Sequence, residues 1–176
     1  MCYFLTVAVP AQHADRIGEV FGRGFQTHAS ENPSVAAALP VGYEARLVTS
    51  GMCSCGLYAR PGTSVAPDRM AHLRHKYEKL GWGAAKIRRA LEQAAASAAK
   101  PHAPASGLRV DVTERLGALC RAGGSVAFLV HWYDGDVRTE RLPLHRAEPC
   151  DCEELGTRAQ QLAEDAVLIA VARRAD

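Results

Sequence analysis

Ser125-Val126-Ala127-Phe128-Leu129-Val130-His131-Trp132-Tyr133, followed by Asp134-Gly135, is the stretch from which the fold is read. A run rich in valine and aromatics, with no glycine or proline inside it, is a strand. Val126, Phe128, Val130 and Trp132 share one face at the strand period of two, and that face is expected to be buried. Asp134-Gly135 is a two-residue hairpin signal, because both residues tolerate the positive φ of a tight turn. A return strand is therefore expected over 136–144, with Pro143 marking it as an edge. In that register Trp132 would face Val137 and His131 would face Arg138.

Upstream of this strand, Val112, Leu116 and Leu119 recur at helical spacing and predict a helix over about 111–122, stopped by Gly123-Gly124. Downstream, a helix is expected over 153–163 and a strand over 166–172, although the apolar run also fits one long helix. At the other end, residues 2–9 are apolar on both faces and read as a central strand ended by Pro10. A helix carrying Ile17, Val20 and Phe21 follows, to about Phe25. Residues 26–42 look irregular apart from a helical turn at 34–39, and Tyr43 to Thr49 alternates as a second strand. Between the two halves, Met70, Leu73 and Tyr77, and then Ala84, Ile87 and Leu91, mark two helices separated by Gly81-Trp82-Gly83.

These elements make an α+β fold: a single mixed or antiparallel sheet of about five strands, with helices mainly on one face. The chain, 176 residues long, is expected to be a single domain. The helical hairpin at 66–98 is an insertion in it, and 99–107, Ala-Lys-Pro-His-Ala-Pro-Ala-Ser-Gly, is a flexible linker. A chain of this length buries enough surface to fold without disulfides or metal. A net charge of +2 is too mild to argue for nucleic acid or an anionic membrane by itself. No apolar stretch approaches a membrane span. No basic region precedes the apolar residues 3–9, and Pro10 cuts that run short, so no export segment is expected. The reading is of a bacterial, cytoplasmic protein, in which the six cysteines are reduced thiols, metal ligands or redox centres.

The least ordinary chemistry lies in Gly51-Met52-Cys53-Ser54-Cys55-Gly56 and in Cys150-Asp151-Cys152. Four thiolates suit a structural zinc ion, and Cys53, Cys55, Cys150 and Cys152 are the expected ligands. Neighbours at i and i+2 point to opposite faces of a straight strand, so each pair must sit on a bend; Gly51, Gly56 and Pro149 favour one. The usual zinc spacing has two residues between the cysteines rather than one. The same pairs could instead run thiol–disulfide redox chemistry or serve a cysteine-dependent enzyme, although acids crowd the second pair and oppose a thiolate there. Cys2 and Cys120 lie in apolar patterns and are expected to be buried thiols; were Met1 removed, Cys2 would be an N-terminal nucleophile. The hairpin carries seven basic and three acidic residues between Asp68 and Glu92 and loosely resembles a helix-turn-helix. Arg74, Lys86, Arg88 and Arg89 are its candidate nucleic-acid contacts, and a solvated basic face used for nothing is the plainer account. The chain has no phosphate-cradling loop, nucleophile elbow or His-Glu-x-x-His sequence.

Overall fold

The computed structural model describes residues 2–59, 67–79, 81–99 and 107–173. It divides into two compact units, Met1–Pro61 with Ser106–Asp176, and Gly62–Ala105. The first holds the sheet. The second holds the helical hairpin, α3 (Pro67–Lys79) and α4 (Ala84–Ala99). The expected turn at 60–62 lies outside the described residues, as do residues 100–106 of the expected linker.

In chain order the sheet unit runs β1 (Cys2–Pro10), a short 3-10 turn (Ala11–His13), α1 (Asp15–Phe21), β2 (Gln26–Ala29), α2 (Pro33–Ala38), β3 (Tyr43–Thr49) and β4 (Tyr58–Ala59). After the hairpin unit it resumes with β5 (Gly107–Leu108), α5 (Val110–Gly123), β6 (Ser125–Tyr133), β7 (His145–Arg146), β8 (Cys150–Asp151), α6 (Leu155–Gln160) and β9 (Ala166–Val171). The main sheet has the order β2-β3-β1-β6-β9-β7, with β8 also pairing β9; it therefore has seven strands rather than about five. β1 is central, antiparallel to β3 on one side and to β6 on the other, while β7 and β8 lie parallel to β9. The α+β class stands.

Alternation along the strands builds two cores. Leu5, Val7 and Val9 of β1, Val126, Phe128 and Val130 of β6, and Leu168 of β9 face Ile17 and Phe21 of α1, Val112, Leu116 and Leu119 of α5, and Leu155 of α6. The opposite face, with Ala8, Ala127, Leu129 and Val167, is covered by Val35 of α2 and by Leu142 and Leu144. Each fully buried leucine or phenylalanine contributes about 1.5–3 kcal/mol, so the larger, helix-covered face dominates the stability. Cys120 of α5 and Cys152 beyond β8 are joined as a disulfide across this core, with Cα atoms 5.9 Å apart. Cys120 is buried as expected, but as half of a disulfide with Cys152 rather than as a free thiol, which also takes Cys152 from the expected zinc ligands.

Three stretches of chain differ in secondary structure from the sequence expectations. β2 is a strand where irregular chain was expected; Gln-Thr-His-Ala is polar, as an edge strand with little buried surface can be. The long first helix is a 3-10 turn and a short α1, ended by Gly22 and Gly24 at φ +39° and +91°. The third departure is the hairpin expected after Tyr133, which does not form. One edge of β6 is paired with β1 and the other with β9 over Ser125–Phe128, so a full-length return strand has no free edge to bind. Residues 134–144 instead fold back on themselves, with Thr139 N and Glu140 N both donating to Asp136 O (3.1 and 2.9 Å). The end of the chain resolves as helix and then strand.

β4 and β5 form a separate two-stranded ladder, Tyr58↔Leu108 and Ala59↔Gly107. Gly107 has φ +117°, and a Cβ there would overlap the backbone of Gln160 at the end of α6. Only glycine fits this close approach.

Candidate metal centre

The thiol site is built where β3 leaves the sheet. β3 pairs with β1 as far as Leu5↔Val48, and the chain then turns through Gly51, at φ +143°. Ser54 returns it to β1. Its amide donates to Tyr3 O (2.8 Å), and its hydroxyl donates to Val48 O (2.5 Å) and accepts from Leu5 N (2.9 Å). Ser54 is fully buried, so this hydroxyl bridges the two strands in a dry setting. Ser50 N donates to Cys53 O (3.2 Å) and Thr49 Oγ1 to Gly51 O (2.9 Å), which close the bend from within.

With Ser54 pinned inward, the cysteines on either side of it point the other way. Their sulfurs meet that of Cys2, the first residue of β1. The ligand atoms of Cys2, Cys53 and Cys55 all lie within 4.8 Å of one another. Cys2 and Cys53 are half-buried and Cys55 is exposed, so the group sits at the surface with one side open. Tyr3 N donates to Cys55 Sγ (3.3 Å). The Tyr3 ring packs edge-on against Tyr58 and Trp132, at 5.1 and 4.7 Å between centroids.

The thiols are electrostatically unequal. The Cys55 backbone N–H, helped by the neighbouring thiols, holds Cys53 below its ordinary value. Loss of solvent around the Cys55 sulfur, and then its neighbour Cys53, push Cys55 up to about 11. One sulfur is thus prepared to be a thiolate while the next keeps its proton until something stronger than water, such as a cation, displaces it.

The structure does not bring the two expected pairs together. Cys2 lies opposite Tyr133 of β6, whereas Cys150 lies beside Ala170, which is opposite Val126. Tyr133 and Val126 are seven residues apart on one strand, roughly 23 Å at about 3.3 Å per residue. Cys152 is bonded to Cys120, and Cys150 is buried, with burial raising its thiol. Cys53 and Cys55 do converge, and the third sulfur beside them belongs to Cys2, which its apolar surroundings in sequence made look like filler. The signal lay in pairing: the start of a central strand meets the loop that leaves its neighbour.

In the hairpin unit Arg74, Lys86, Arg88 and Arg89 are all exposed. Lys86 Nζ lies 4.0 Å over the Trp82 ring, which stacks on Tyr77; Arg88 lies 3.9 Å from Glu92, and Arg89 Nε donates to Ala85 O. Three of the four cations are therefore engaged within their own hairpin.

Among the described residues no helix is long and apolar enough to cross a membrane. No family model, curated protein or solved structure matches the chain.

Proposed function

We propose that the protein binds one thiophilic metal ion through Cys2, Cys53 and Cys55, and that zinc is its resident ion. The convergence of three sulfurs from two separate stretches, within 4.8 Å, carries this reading. Thiolates select zinc or copper(I) over harder cations. Two cysteines at i and i+2 can serve one ion because the chain between them is bent and Ser54 holds the bend. An ion here would tie the start of the central strand to the loop after β3, which is a structural role. Three protein ligands leave a tetrahedral ion one further position, on the side of the exposed Cys55.

The test is metal content and thiol count on one anaerobically purified sample. Zinc should leave on chelation together with the exposure of three thiols, and Cys2→Ser, Cys53→Ser and Cys55→Ser should each weaken its retention. Protein that takes up no zinc on incubation, with these thiols free throughout, refutes the reading.

The unequal Cys53 and Cys55 thiols favour a second reading, thiol–disulfide exchange. The Cys53 thiolate would attack a partner disulfide and form a mixed disulfide, and the Cys55 thiol would then displace it and leave a Cys53–Cys55 disulfide and a reduced partner. Metal-free protein whose thiols are released only by reductant supports it.

A further inference from the structure

A second polar cluster lies near the same end of the sheet, on the face away from the three helices. His131 was expected opposite Arg138 and stands instead between two carboxylates. Its Nδ1 is bonded to the Asp165 carboxylate, and its Nε2 lies 3.5 Å from Glu140 Oε1. Asp165 has φ +67°, a left-handed conformation that aspartate tolerates better than most residues, and its amide donates to Val130 O (3.0 Å). Glu140 is fixed from several sides. Its carboxylate accepts from Gly135 N (2.7 Å) and Asp134 N (3.1 Å), and its carbonyl accepts from Asn32 Nδ2 (2.9 Å). Asn32, buried, also caps α2 through Oδ1, so the segment that carries Glu140 is locked to the fold.

Among the described residues, three buried side-chain atoms on this face have no hydrogen-bond partner: His131 Nε2, Tyr133 Oη and Thr6 Oγ1. Their residues are 6%, 1% and 1% exposed. Buried polar atoms are nearly always bonded, so the His131 and Tyr133 atoms, two residues apart on one face of β6, call for a partner. The His131 and Tyr133 rings meet edge-on at 4.6 Å, and the Tyr133 phenol is close enough to Glu140 and Asp165 to feel their charge.

We propose that His131 Nε2 and Glu140, with Tyr133 Oη beside them, form a second metal site, for a divalent transition ion that prefers nitrogen and oxygen ligands. Two ligands about 2.1 Å from one tetrahedral ion stand roughly 3.4 Å apart, and Nε2 and Oε1 stand 3.5 Å apart. The carboxylate on the other ring nitrogen is the arrangement that orients ligating histidines and fixes their tautomer. The site uses no sulfur and stands independently of the thiol centre.

The test is a Co²⁺ titration of protein in which Cys2, Cys53 and Cys55 are replaced by serine. One Co²⁺ per chain should bind, with visible d–d absorption and a rise in Tm. His131→Gln and Glu140→Gln should each abolish both signals, and Asp165→Asn should weaken binding by about 10–100-fold. If the serine protein fails to fold, wild-type protein with these thiols alkylated is titrated in its place. Absence of Co²⁺ binding overturns the site, as does binding that neither His131→Gln nor Glu140→Gln changes. The thiol reading fails separately, through zinc retention in the wild-type protein.

Discussion

Ser54→Ala tests how the thiol centre is held. The substitution deletes one oxygen and leaves every cysteine in place. In the wild-type protein that oxygen satisfies both Leu5 N and Val48 O, and both residues are fully buried. A buried backbone group left without a partner costs about 1–3 kcal/mol, so two of them cost about 2–6 kcal/mol together. The middle of that range, about 4 kcal/mol, lowers Tm by roughly 8–16 °C for a chain of this size. Urea unfolding of wild-type and Ser54→Ala protein, monitored by far-UV circular dichroism, measures the difference directly. Zinc competition against a chromophoric chelator measures the second effect: at least a tenfold loss of affinity, because the bend that turns Cys53 and Cys55 toward Cys2 has lost its anchor. Ser54→Thr keeps the hydroxyl and should recover part of both. A loss below about 1 kcal/mol with unchanged zinc affinity would show that Ser54 is not the anchor.

Three further outcomes are expected. Gly107→Ala forces a side chain into the Gln160 backbone at φ +117°, where strain alone costs about 1–3 kcal/mol, so thermal unfolding should shift down by several degrees; a variant as stable as wild type removes the close approach. Backbone amides hold the Glu140 carboxyl below its ordinary range, so its stabilising contribution is complete above the unfolded value of about 4.3 and is lost as the pH falls through the lowered folded value. Urea midpoints of wild type and Glu140→Gln should therefore differ at pH 6 and converge toward pH 3, and a gap that widens in acid contradicts this. In metal-free reduced protein, iodoacetamide should modify Cys53 before Cys55, since only the first is held toward its thiolate; peptide mapping that finds the reverse order rejects the assignment.

What the sequence revealed of this fold was what depends on local pattern. β1, β3, β6 and α5 were legible because their apolar residues recur at one period over seven or more residues. β2 was not, because Gln26, Thr27 and His28 carry no such period and the strand exists only by pairing with β3. The hairpin after Tyr133 failed for a related reason. Asp134-Gly135 has the right turn chemistry, but whether a turn becomes a full hairpin depends on whether the strand's edge is free along its length, and β6 is paired with β1 on one side and, over Ser125–Phe128, with β9 on the other. The site divided in the same way. Cys53 and Cys55 stood out through their glycine-flanked spacing, whereas Cys2, His131 and Asp165 gain their surroundings from chain that is far away in sequence.

The β4–β5 ladder has a consequence for the architecture as a whole. Tyr58 and Ala59 leave the sheet unit side by side with Leu108 and Gly107, so the excursion from residue 60 to residue 106 departs and returns at neighbouring points. Among the described residues, none in the two core clusters comes from that excursion. The sheet unit thus closes its own chain path at this ladder, where Ala59 and Gly107 are paired. A two-residue Asn-Gly turn could join Ala59 to Gly107 in place of the excursion, because paired strand ends are the span that such a turn bridges. The shortened chain should remain a folded protein with its thiol loop intact, and the same paired ends should tolerate an unrelated helical module between them.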